Sequence, residues 1–155
     1  MSKPEIQVDE IPNDNFEAPK IPKEKDFQQK EDGYPVEVKS NEVSNHSDEG
    51  DVDCLGIFDV PVKRFVPTLH EEKVPCMGWN KIYDTKSPLM AGVDSRYVYF
   101  VHSYYVPLCQ ETIAIADYIQ PYSAALHKDN FYATQFHPEK SGDVGERIIK
   151  NFLEL

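Results

Sequence analysis

Val144, Ile148 and Phe152 recur every four positions, with Glu146, Lys150 and Asn151 between them. That spacing lays one apolar stripe along a helix and turns the polar residues to water. It predicts an amphipathic helix over Asp143 to Leu155, with Asp143 as N-cap and Glu146, three residues on, closing a capping box. Upstream the pattern changes to that of strands. Phe131 to Phe136 has aromatic and β-branched content, and Val60 to Val66 reads the same way. Tyr97 to Val106 is almost continuously apolar or aromatic, which predicts a central, buried strand. Thr112 to Tyr118 and Ser123 to His127 read as short strands separated by a Gln120-Pro121 breaker, with a turn at Asp129-Asn130. Strands come first and one helix comes last. A set of antiparallel hairpins flanked by a single helix is incomplete as an architecture, so the pattern predicts part of a larger α/β domain.

Composition divides the chain of 155 residues. Residues 1–50 hold 13 acidic and 6 basic side chains, against 14 and 10 in residues 51–155. The formal net charge of −11 and the lack of a basic patch exclude nucleic acid as a partner. In the first third Phe16, Phe27 and Tyr34 are the only aromatics, and Pro4, Pro12, Pro19, Pro22 and Pro35 interrupt any period. Residues 1–45 are therefore expected to be disordered or an unrelated acidic segment, and residues 46–155 to form the domain. The start Met1-Ser2-Lys3-Pro4 lacks an apolar core of signal-peptide length, and no apolar run is long enough to span a bilayer. A cytoplasmic protein with no membrane partner is expected. Cys54, Cys76 and Cys109 are odd in number and widely spaced, which predicts reduced thiols, no disulfide framework, no metal and no cofactor.

Against this background Gln135-Phe136-His137-Pro138-Glu139-Lys140-Ser141-Gly142 carries the chemistry. It sets a histidine and a carboxylate two residues apart between a strand and a helix. Pro138 stiffens the intervening backbone, so the Glu139 carboxylate can hold the imidazole in one tautomer while the other ring nitrogen takes a proton from a nucleophile. This is the base half of a catalytic triad, and it requires a serine or cysteine partner.

The stretch from about His46 to Leu155 resembles class I glutamine amidotransferases, and within them the C-terminal half of the glutaminase subunit of imidazole glycerol phosphate synthase. Val74-Pro75-Cys76-Met77-Gly78-Trp79-Asn80, Tyr99-Phe100-Val101-His102-Ser103-Tyr104-Tyr105 and Phe131 to Phe152 carry the resemblance. It implies a flavodoxin-like α/β fold, here its C-terminal half of mostly strands plus a C-terminal helix, with an irregular N-terminal segment. It also implies cysteine attack on the carboxamide of glutamine, a glutamyl thioester and released ammonia, with His137 as general base and Glu139 as its orienter. Ser103 and Tyr104 would contact the bound glutamine. Met77, Trp79 and Asn80 would face a partner cyclase subunit, a (β/α)₈ barrel that uses the ammonia in histidine biosynthesis. The family's nucleophile sits in a Gly-x-Cys-x-Gly elbow, which this sequence does not contain. Val52-Asp53-Cys54-Leu55-Gly56 imitates only its second half, with valine where the strained turn needs glycine.

Two other readings stand beside this one. A non-hydrolytic interaction protein would keep only the cyclase-binding surface around Trp79. An unrelated thiol hydrolase would pair Cys54 with His137. If the strand Tyr97–Val106 lacks covering neighbours, its edge and apolar face are exposed, and dimerisation or poor solubility is expected.

Overall fold

The computed structural model describes residues 36–155. The expectation for residues 1–35 lies outside the described residues. In order, the elements are β1 (Val36–Lys39), the one-turn helix α1 (Ser40–Val43), β2 (His46–Ser47), β3 (Val52–Asp53), β4 (Pro61–Arg64), β5 (Cys76–Lys81), β6 (Tyr97–His102), β7 (Tyr104–Tyr105), β8 (Thr112–Tyr118), β9 (Gln120–Lys128), β10 (Phe131–Thr134) and α2 (Gly142–Leu153). Short 3-10 turns lie at Pro88–Met90 and Pro138–Lys140. One sheet has the order β1-β10-β9-β8, a second β3-β2-β4-β7, and β5 and β6 form a two-stranded hairpin.

Apart from the one-turn α1, strands precede the one long helix, but several details differ from the pattern's prediction. β1 pairs in parallel with β10, Val36 opposite Phe131. The long apolar run is broken at Ser103. Its first part, β6, pairs with β5, and its second, β7, pairs antiparallel with β4. β6 is not a central strand, and alternate residues Val98, Phe100 and His102 point inward while Tyr97, Tyr99 and Val101 point out. Gln120-Pro121 does not separate two strands. β9 runs through it, and Ile119, with φ 61°, makes the turn back from β8. Pro121 is tolerated because β10 pairs only with residues 125–128, leaving the start of β9 with β8 alone. The Asp129-Asn130 turn is where the pattern places it, joining β9 to β10.

Helix α2 also begins differently. It starts at Gly142 with Ser141 in the N-cap position and no side-chain cap bond, so the Asp143–Glu146 capping box does not form. Asp143 still lies in the first turn, where its charge suits the helix dipole. Val144 and Ile148 are buried, as the stripe requires. Asn151 is not simply solvated: its side-chain amide donates to the carbonyls of Leu89 and Ala91 at 2.9 and 3.1 Å. These bonds anchor the helix to the turn at Pro88–Met90.

Between α2 and the sheets lies an aromatic core. Phe65 and Phe100 meet Tyr122 edge-on, with centroids 5.6 and 5.9 Å away, and Phe100 meets Phe136 at 5.8 Å. Edge-to-face pairs of this kind add stabilisation beyond area burial. Phe136 therefore ties the end of the β10 segment to β6. The residue that follows it is His137.

Candidate active site

His137 stands at the entry to the 3-10 turn Pro138–Lys140, in extended conformation with φ −99° and ψ 98°. Its Nδ1 lies 2.8 Å from Glu139 Oε1. Partial burial works to raise the Glu139 carboxyl, but hydrogen bonds from its own N–H and from His137 outweigh this and hold it below its ordinary range. A carboxylate accepts only, so the shared proton belongs to Nδ1, and in the neutral ring Nε2 carries the lone pair. The imidazole is about one-third exposed, which leaves it accessible to a reacting group. One histidine is thus set up to accept a proton.

The turn is docked on the free edge of β6. His137 N–H donates to the Tyr99 carbonyl at 2.9 Å, and Tyr99 N–H donates to the Ser141 hydroxyl at 3.0 Å. Behind it, α2 approaches so closely that a Cβ on Gly145 would overlap the Pro138 carbonyl oxygen. The predicted uncovered edge of the long strand is therefore closed at Tyr99 by the His137 turn.

The other expected site residues lie on and beside strands β5 and β6. Ser103 occupies the break between β6 and β7, and its carbonyl accepts Phe65 N–H at 3.0 Å. It is four residues from Tyr99, or about 13 Å along the strand at ~3.3 Å per residue. Tyr104 is half-buried, and its carbonyl accepts a proton from His102 Nδ1 at 2.8 Å. Met77 and Trp79 stand on the outward face of β5, 65% and 57% exposed, with Trp79 edge-on to Tyr99 at 6.0 Å. Asn80 alternates with them along β5 and is half-buried. Its amide donates to the Asp117 carbonyl at 2.7 Å, and its Oδ1 accepts Lys81 N–H at 2.7 Å. A cavity of about 430 Å³ is lined by Met77, Trp79, Asn80, Cys76, Asp117 and Tyr118 among others.

Two residues given no role from the sequence shape this region. His102 is buried, and burial lowers its pKa to about 4 against the opposing bond to Tyr104 and with help from the charge of His137. Ser141 is 1% exposed and bonded on both sides of the turn. The only signal for either was a polar residue inside a motif.

The thiols are not activated. Burial raises the Cys54 thiol, helped by Asp53 and Glu42, and burial alone pushes Cys76 up to about 11. Cys109 is raised by burial too. A loop leads from Cys54 to β4 where a nucleophile elbow needs a helix. Among the described residues no group of three or more His, Cys, Asp or Glu side chains is arranged to hold a metal.

A carboxylate-oriented histidine at a strand-to-helix turn is the geometry that the base half of a hydrolytic triad requires. The class I glutamine amidotransferase profile matches residues 33–155, so the chain belongs to that family. It is 68% identical over 111 residues to imidazole glycerol phosphate synthase subunit HisH of Bacteroides thetaiotaomicron, a match covering 71% of this chain and 57% of the relative. HisH of Bacteroides fragilis is 71% identical over 110 residues, covering 70% and 56%. HisH of Pectobacterium atrosepticum is 47% identical over 116 residues, covering 73% and 58%. The chain thus spans a little over half the length of the curated relatives it matches. Among solved structures it is similar to a candidate GMP synthase subunit of Thermoplasma acidophilum, with TM-score 0.49 and 22% identity over 63% of this chain and 49% of that one. Among the described residues no helix is long and apolar enough to cross a membrane.

Proposed function

We propose that this chain supplies the general-base part of the glutaminase subunit of imidazole glycerol phosphate synthase, acting on glutamine for a cyclase partner in the cytoplasm. The observation that carries the reading is the 2.8 Å bond from His137 Nδ1 to Glu139. It fixes the tautomer whose Nε2 can take the proton of a thiol. The thiolate adds to the carboxamide carbon, the glutamyl thioester forms, and the proton passes to the departing ammonia. Hydrolysis of the thioester returns the thiol and gives glutamate. Identities of 68–71% to HisH support glutamine as substrate and the cyclase as partner. Ser103 and Tyr104, at a break in the pairing of the same hairpin, are the proposed glutamine contacts. The outward Met77 and Trp79, with Asn80 beside them, are the proposed cyclase contacts. Residues 1–45 hold no assigned role in this reading. The nucleophile is not one of the three thiols placed here.

The test is ammonia release from glutamine by the purified chain mixed with the part of a HisH relative that this chain does not span, a cyclase subunit and its nucleotide ligand, beside a His137→Ala control. Release that disappears in the control supports the hydrolytic reading. A second reading, a non-hydrolytic partner of the cyclase, draws on the raised thiols and the exposed Met77–Trp79 face. It predicts cyclase binding with no release in either protein.

A further inference from the structure

Ser141 stands where a helix N-cap serine ordinarily bonds to the N–H groups of the first turn, yet it makes no such bond. Its hydroxyl instead accepts Tyr99 N–H at 3.0 Å and donates to the His137 carbonyl at 2.6 Å. His137 N–H completes the circuit by donating to the Tyr99 carbonyl at 2.9 Å. Three hydrogen bonds therefore join Tyr99, His137 and Ser141 in a closed ring. Ser141 is itself held from both ends, its N–H donating to the Pro138 carbonyl at 3.0 Å and its carbonyl accepting Gly145 N–H at 3.2 Å.

The side chains of His137 and Glu139 are 31% and 60% exposed. A pair so open to water has little holding power of its own, because solvent screens it and side-chain entropy opposes one fixed geometry. Its geometry has to come from the backbone on which it stands. The backbone of His137 is fixed by the ring, and the ring depends on one hydroxyl that is shielded from water.

We propose that Ser141 is a positioning residue for the His137–Glu139 dyad: its hydroxyl locks the turn to Tyr99 of β6 and so keeps His137 Nδ1 within reach of the Glu139 carboxylate. The inference rests on the reading of that pair as the catalytic dyad. Gly145 serves the same end from behind, since only a residue without Cβ lets α2 pass the Pro138 carbonyl.

The test follows the Glu139 carboxyl by ¹³C NMR through an acid titration in the native chain and in the His137→Ala, Ser141→Ala and Ser141→Cys variants, with thermal melts of each. In the native chain the midpoint is expected below the ordinary carboxylate range, and in His137→Ala it moves up. The inference requires the same upward shift in both Ser141 variants while cooperative melting persists. General loss of stability would lower the melting temperature without moving the midpoint of the folded protein. If Ser141→Ala does not fold, Ser141→Cys, close in volume but a weak donor, decides alone. An unmoved midpoint in a folded Ser141 variant, with the shift present in His137→Ala, overturns this inference and leaves the dyad standing. An unmoved midpoint in His137→Ala overturns the dyad reading and this inference with it. No turnover is needed for either result.

Discussion

His102 Nδ1–H donates to the carbonyl oxygen of Tyr104 at 2.8 Å, across the break at Ser103 where β6 gives way to β7. A buried imidazole thus holds the bend between a strand paired to β5 and a strand paired to β4. Burial keeps it neutral, with a pKa of about 4 in place of 6.5.

That shift has a sign for stability. As pH falls below 6.5 the unfolded chain binds a proton that the folded chain refuses, so stability drops progressively toward pH 4. From this pair of values the loss between pH 7.5 and pH 5 is about 2 kcal/mol. Urea unfolding at the two pH values should show it, and His102→Gln should flatten the difference. An equal acid slope in both proteins would assign the slope elsewhere.

Glu139 behaves in the opposite sense to a carboxylate that burial alone governs. Although partial burial pushes upward, hydrogen bonding to its own N–H and to His137 leaves its pKa lowered. Its contribution is present above the ordinary carboxylate range and is lost as pH falls through the lowered folded value. The melting temperatures of the native chain and Glu139→Gln should therefore differ at neutral pH and converge in acid. In a glutaminase assay that shows turnover, Glu139→Gln should lower kcat by roughly 10²-fold or more through loss of the oriented base.

Gly145→Ala forces a methyl against the Pro138 carbonyl and within 3.0 Å of Ser141 Cβ. Overpacking against backbone costs about 1–3 kcal/mol. Gly142→Ala is the useful comparison, since Gly142 has φ 56° and open space around its missing Cβ. Its cost is the left-handed conformation alone, about 1 kcal/mol. Chemical denaturation should rank Gly145→Ala as the more damaging, and only that variant should perturb the NMR signals of His137 and Glu139.

Trp79 is 57% exposed and meets Tyr99 edge-on. Trp79→Ala should shift stability by no more than about 0.5–1 kcal/mol. Affinity for the cyclase should fall by roughly tenfold or more if the indole is an interface anchor. Calorimetry of the two proteins with the cyclase separates these effects. Asn80→Ala should also cost about 1 kcal/mol of stability, because its amide joins β5 to the Asp117 carbonyl.

If Cys54 were a nucleophile, Cys54→Ala would abolish turnover while Cys76→Ala and Cys109→Ala would not. The raised thiol and the absence of a following helix predict equal activity in all three variants. Alkylation of Cys54 at neutral pH should be no faster than that of an unperturbed thiol.

Much of the site was legible before the fold. The spacing of Val144, Ile148 and Phe152 marks α2 because helical burial follows a 3.6-residue period. Asp129-Asn130 marks the hairpin because turn residues act locally. His137 and Glu139 are legible as a candidate pair because only Pro138 separates them. The break at Ser103 was not legible, since an apolar run says that a segment is buried and not which neighbours its two halves pair with. The turn at Ile119 was hidden for a related reason: a β-branched residue at φ 61° gives no local signal, and its pairing context holds it there.

The sequence by itself determined the helix, most of the strands and the histidine–carboxylate pair, all of which depend on residues close together in the chain. Tertiary structure alone decided that β1 joins β10, that Asn80 bonds across to Asp117 of β8 and that Ser141 serves the turn rather than its own helix. Ser141 lies 42 residues from Tyr99. A hydroxyl bonds to whichever backbone group the packing brings beside it, and no local pattern encodes that choice.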